Sequence, residues 1–424
     1  MSRRRKILLA LLVLVVMIPT GIMYWVATTE SGLQFLLDRL HRVGPVTLTA
    51  QGVTGTLTRG IHVESLRIEH RLSDVTVEDA TGSLRLLPLL VRRRIEVPGL
   101  DVRRVRVVLF ENDSPDNLQR TPRFLPPALR IDGDAVRVGE LLLTLRNGRE
   151  LTFSDLSGEA TLVHREIRAR NVHTLWEDWE LNGNTIVHAA RPYGLEGNID
   201  AIWRPHNQPE WHMATRFDGH LDELPFDLTV SEPFLADVKG NGVLRSGWRF
   251  EGHALAREFD LTDFGGGDAL GLLSGELDVA VDADGITAKG QVTPPGLESG
   301  PLDVDFNGDY QQKVLAIRRT DLLHRPSGSR ATVRGTVGIE PGGPRLDLQG
   351  TWATFRWPLA SDDPAFTSPR GQYTLAGTKP WQVTAQGDLE TADVPAFPAS
   401  ARGMLDGDHF RIDEARLGLF GGDA

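Results

Sequence analysis

The chain has no cysteine among its 424 residues. That absence excludes disulfides, thiolate nucleophiles, cysteine-ligated zinc, iron–sulfur clusters and a lipidated lipoprotein cysteine. It leaves the compartment open. Catalytic signatures are missing too. The twelve histidines are scattered, with no HExxH pair to hold zinc on one helix face. His206 and His212 flank a loop-like stretch and make a weak metal pair. There is no GxSxG nucleophile elbow and no phosphate-binding glycine loop. Gly240-Asn-Gly242 lacks the third glycine of a dinucleotide site. Asp282-Ala-Asp284-Gly285 follows an alternating run, so it reads as a hairpin turn and not as a calcium loop. Basic surface is also short: 46 Lys and Arg face 57 Asp and Glu, a net charge of -11. This argues against a general nucleic-acid binder. The expectation is a non-enzyme with no metal and no cofactor.

What is present is turn-formers and short-period alternation. The 44 Gly and 25 Pro exceed ordinary usage, so turns are abundant. Beyond Pro45 the apolar period is two. Val46, Leu48 and Ala50 alternate with threonines. Val105, Val107 and Leu109 alternate with Arg104 and Arg106. Leu277, Val279 and Val281, then Leu302, Val304 and Phe306, then Leu346 and Leu348, and finally Trp381, Val383 and Ala385 repeat the pattern. Each run predicts a strand with one apolar and one wet face, which is the antiparallel signature. Eight Asn-Gly or Asp-Gly pairs predict hairpin turns: Asp132-Gly133, Asn147-Gly148, Asn182-Gly183, Asp218-Gly219, Asn241-Gly242, Asp284-Gly285, Asn307-Gly308 and Asp406-Gly407. The fold class is mostly β.

The first thirty residues differ. Arg3, Arg4, Arg5 and Lys6 precede 21 uncharged positions, Ile7 to Ala27. At about 1.5 Å per residue this predicts a helix that crosses a bilayer, anchored by Ile7, Leu8, Leu11, Leu14, Val15, Ile18, Ile22 and Trp25. The alternative is a cleaved signal peptide, but no small-x-small site follows. The basic tip predicts a cytoplasmic N-terminus, and so a single-pass bacterial inner-membrane protein with most of its chain periplasmic. Leu33, Leu36, Leu37 and Leu40 then outline a short amphipathic helix. Thr28, Thr29 or Ser31 caps it. It rests on the membrane surface or packs on the first strands.

The expected organisation is a tip and anchor at 1–27, the amphipathic helix at 28–44 and a first β section at 45–112. A Pro-rich polar linker at 113–128, a second β section at 129–262 and further repeats at 263–424 follow. Residues 1–110 hold 16 Lys and Arg against 9 acids. Arg92, Arg93, Arg94, Arg104 and Arg106 carry much of this excess. They are candidates for lipid-headgroup contact, or they form a solvated strand face.

Certain phrases carry a resemblance. Thr28-Thr-Glu-Ser-Gly-Leu-Gln-Phe-Leu-Leu37, Gly52-Val-Thr-Gly55-Thr-Leu57-Thr-Arg-Gly60-Ile-His-Val63, Leu66-Arg-Ile68 and Gly350-Thr-Trp352-Ala-Thr-Phe-Arg-Trp357-Pro358-Leu359 resemble segments of the TamB family. That family supplies the inner-membrane subunit of the bacterial translocation and assembly module and belongs to the wider AsmA-like group. Family members are generally much longer, which suggests a partial chain. The resemblance implies a long antiparallel sheet curled into an elongated apolar groove, with about 30 strands if strand plus turn takes about 12 residues. It implies transport of phospholipid between membranes in outer-membrane biogenesis. An alternative is assembly or secretion of outer-membrane proteins by strand pairing with an outer-membrane barrel partner. Val105, Val107, Leu109, Leu277, Val279, Val281, Leu302, Val304, Phe306, Leu346 and Leu348 are the candidate groove lining. The same alternation also fills the dry core of an ordinary sandwich.

Overall fold

The computed structural model describes residues 24–423 apart from gaps, the longest at 111–128, 261–271 and 295–299. The chain is mostly β, in curled, groove-like sheet. It divides into two compact units, 1–199 and 200–424. This boundary falls inside strand Gly194–Trp203, where the sequence offered no break.

The first unit opens on a helix, Glu30–Leu40. Thr29 caps it: its Oγ1 accepts the Gly32 N–H at 3.1 Å. Leu33 is buried, and Gly55 N–H donates to Glu30 Oε1 at 3.3 Å, so the helix packs on strand Val46–Thr56. From Val46–Thr56 to Trp179–His188 the strands pair antiparallel with their sequence neighbours, with one exception. Strand Arg94–Leu109 pairs parallel with Arg130–Thr144. A purely antiparallel ladder was expected, and this corrects it. Parallel neighbours need a crossover of a dozen or more residues. The linker read at 113–128 lies in the connection between these two adjacent strands and supplies that length.

The apolar period also slips inside strands here. Asp79, in the left-handed region at φ 55°, interrupts the ladder between Glu78↔Arg104 and Ala80↔Val102. Val102 is buried and Val105 half-buried although they are three apart, while Arg103 between them is exposed. An irregularity of this kind re-aims side chains without ending the strand.

The second unit is more regular. From strand Trp211–His220 to His409–Leu419 every consecutive pair is antiparallel. Asp284-Gly285 makes a hairpin turn as expected, with Asp282 Oδ1 accepting the Asp284 N–H at 2.8 Å. Most of the other Asn-Gly and Asp-Gly pairs do not. Asp132-Gly133, Asn182-Gly183, Asp218-Gly219, Asn241-Gly242 and Asn307-Gly308 all lie within strands. The reason is steric. A β-carbon on Gly242 would crowd the ring of Phe250, and one on Gly308 that of Phe306. At Gly183 and Gly219 it would instead meet the backbone carbonyls of Asn198 and Glu223. Twenty-five strands form among the described residues instead of about thirty, because several are long, up to 16 residues in Arg94–Leu109.

The expected single-pass inner-membrane placement is not upheld. Among the described residues no helix is long and apolar enough to cross a membrane. Of the anchor residues, Ile7, Leu8, Leu11, Leu14, Val15, Ile18 and Ile22 lie outside the described residues. Trp25 is described: it is exposed, its ring 5.7 Å from that of Phe35 in the middle of the short helix.

Candidate functional site

The candidate site is the apolar face of the second unit. Directly paired residues on antiparallel strands point to the same side of a sheet. The register therefore sorts side chains into rows that run across the strands. One row passes from Phe226 through Gly240, Gly252, Val279 and Ala288 to Phe306. The next passes from Leu228 through Val238, Ala254, Leu277 and Gly290 to Val304. A third joins Val281 to Ile286, Gly308, Ile317, Gly335 and Leu348. Leu302 faces Val292 and His324, and Leu346 faces Val337.

The expected lining residues of this unit thus converge on one face. Leu277, Val279, Val281, Leu302, Val304, Phe306, Leu346 and Leu348 are all half-buried. None reaches the burial of a closed core; in the whole described chain only eight apolar residues do. A sandwich interior of the expected kind would bury them. The opposite face carries Asp278, Lys289, Asp305, Asp347 and Gln349, all exposed. In the first unit Val105 pairs with Val77 and Leu141, and Val107 with Val75 and Leu143, again half-buried. The side chain of Leu109 lies outside the described residues.

Aromatic rings join across neighbouring strands of this unit. Trp203, Trp211, Phe234 and Phe259 form a chain with centroid distances of 5.8, 5.2 and 4.8 Å. They sit at strand ends and turns, where period-two counting gives no signal. Trp352 and Tyr373 stack at 6.3 Å on strands Gly343–Trp357 and Phe366–Gly377. Burial raises the Tyr373 hydroxyl pKa above its usual value, and that hydroxyl donates to the Thr332 carbonyl at 3.2 Å.

The five candidate headgroup arginines do not gather into one cluster of free charge. Arg94 Nε lies 2.6 Å from Asp132. Arg104 bridges Glu140 at 2.5 Å and Glu78 at 3.3 Å. Its pKa is raised by the Glu140 hydrogen bond and charge, with Glu78 adding to them. Arg92, Arg93 and Arg106 are exposed. Asp132 is buried, which by itself raises a carboxyl pKa. Hydrogen bonds from Arg130 and Thr161, with the charges of Arg130 and Arg94, outweigh that and hold it below the ordinary range. This cluster is structural.

Among the described residues no group of His, Asp and Glu is placed to hold a metal ion. No family model matches the sequence, and no curated protein and no solved structure matches it either.

Proposed function

We propose that the chain carries phospholipid along the apolar face of its curled sheet, in support of outer-membrane biogenesis, as its resemblance to the TamB and AsmA-like proteins implies. The observation that supports this is the half-exposed state of an aliphatic face in register over strand after strand. Bringing one CH₂ group into water costs about 0.8 kcal/mol, so two tails of about 16 carbons cost on the order of 25 kcal/mol. A face of Leu, Val and Ala replaces the bilayer without directional bonds to break. The tails then slide from row to row with little change in free energy. The fourteen strands from Trp211–His220 to His409–Leu419, at about 4.8 Å each, give such a path on the order of 60 Å.

The test is a photocrosslinking amino acid at Val279 in cells, with a matched one at Asp278 on the opposite face. Phospholipid adducts at 279 and none at 278, read by mass spectrometry, are expected. Silence at both positions in folded protein removes the lipid reading.

A further inference from the structure

The face opposite the apolar one holds a polar concavity of about 670 Å³ within the second unit. Its floor is ordered by the same register. One row runs Thr332, Thr351, Gln372, Gln386, Ser400, Arg416. Its neighbour runs Arg334, Gln349, Thr374, Thr384, Arg402, Glu414. Hydroxyls and carboxamides, each both donor and acceptor, thus repeat at the strand spacing of about 4.8 Å. Thr332 and Thr351 bond each other at 2.9 Å. Among the described residues Gln349, Gln372 and Gln386 hold no side-chain hydrogen bond, so their amides are open to a ligand.

The charge is as telling. Five arginines and one glutamate line this concavity, in a chain whose net charge is -11. Arg318, Arg319 and Arg416 are held by Asp309, Asp321 and Glu414 at 2.8, 2.6 and 2.6 Å. Arg334 and Arg402 enter no ion pair among the described residues. They stand at either side of Gln349, Thr374 and Thr384, four strand steps apart, roughly 19 Å at that spacing.

We propose that this concavity binds an acidic polysaccharide. Its hydroxyls meet the Thr and Gln rows, and two of its carboxylates or other anionic groups meet Arg334 and Arg402. The floor suits a polyhydroxylated chain and not an acyl tail, because its side chains are polar. It does not suit single-stranded nucleic acid, which needs aromatic platforms for its bases. The one ring among the lining residues, Tyr373, belongs to the row between Gly350 and Ala385 and stacks on Trp352, so it is not free to take a base.

The full chain is titrated calorimetrically with polygalacturonate, neutral dextran and an oligothymidylate. Polygalacturonate is expected to bind and dextran not. The double variant Arg334→Gln/Arg402→Gln weakens binding at least tenfold, while Arg137→Gln, on the exposed face of the first unit, leaves it unchanged. Gln372→Glu, which adds a negative charge to the middle of the floor, weakens it as well. Circular dichroism confirms that each exposed-residue variant keeps its fold. No polygalacturonate binding, or binding that both the double variant and Gln372→Glu leave intact, overturns the proposal. Oligothymidylate binding as tight as polygalacturonate, with the same loss in the variants, overturns it in favour of a nucleic-acid site.

Discussion

Gly371 lies against the indole of Trp352, its cross-strand partner: a β-carbon at 371 would overlap the ring, 1.9 Å from Cζ2. Gly387, the next residue in the row, faces the same indole at 2.9 Å from an ideal β-carbon to Cζ2. The large ring thus covers two strands that have been cleared for it. Gly371→Val is expected to destabilise the chain by about 1–3 kcal/mol, because the ring must leave its place or the strands must part. Urea unfolding measures it. Trp352→Ala in the same background removes the obstacle, so the double variant should lose less than the sum of the singles.

The half-exposed state of the apolar face predicts an unusual tolerance. Val279→Asp buries no charge in a closed core. It is expected to cost about 1–2 kcal/mol, where a carboxylate forced into a sealed interior belongs to the exceptional class above about 4–5 kcal/mol. Thermal or urea denaturation of Val279→Asp, beside Val102→Asp at a buried position, distinguishes the two. Equal and severe losses would show that the face around Val279 is sealed.

How far the sequence disclosed this arrangement depends on the residue. Leu277, Val279 and Val281 were legible as a face, because strict alternation over one strand fixes which side each residue takes. The pairing of Val279 with Ala288 and Gly252 was not, since register depends on turn geometry and on partners far along the chain. Asn241-Gly242 and Asn307-Gly308 misled for a definite reason. The dipeptide that favours a tight turn is also what a strand uses where a neighbouring ring leaves no room for a β-carbon. Val102 and Val105 hid a strand irregularity at Asp79, since their spacing of three breaks a period-two count. The polar concavity had no sequence signature. Thr351, Gln372 and Gln386 come from separate strands, and only the ladder sets them side by side.

His253 sits between two carboxylates on the wet face, Asp278 at 2.9 Å and Glu276 at 3.1 Å. The Asp278 hydrogen bond, with the charges of both acids, raises its pKa above 6.5 against a smaller opposing effect of desolvation. The folded state therefore holds this proton more tightly than the unfolded state does. The stabilisation is fully present below about 6.5 and is lost as pH rises through the raised folded value. His253→Gln should flatten that part of the stability–pH profile and leave the acid side unchanged. Urea midpoints at pH 5.5 and 8.5 for both proteins check it. A profile that keeps its slope in the variant assigns the dependence elsewhere.

Ser368 is the most completely enclosed hydroxyl near the aromatic stack, at 1 % exposure. It accepts the Trp352 indole N–H at 2.7 Å and donates to the Asp388 carbonyl at 2.6 Å. Ser368→Ala leaves a buried donor and a buried acceptor unmatched at once. Each costs about 1–3 kcal/mol when stranded away from water. Trp352→Phe removes the donor but keeps a flat ring above Gly371. Once that donor is gone, Ser368→Ala strands only the Asp388 carbonyl. A double-mutant cycle read by urea unfolding should therefore show a coupling of about 0.5–3 kcal/mol between the two sites. The coupling vanishes if the indole is held only by stacking on Tyr373, and then the two single losses add.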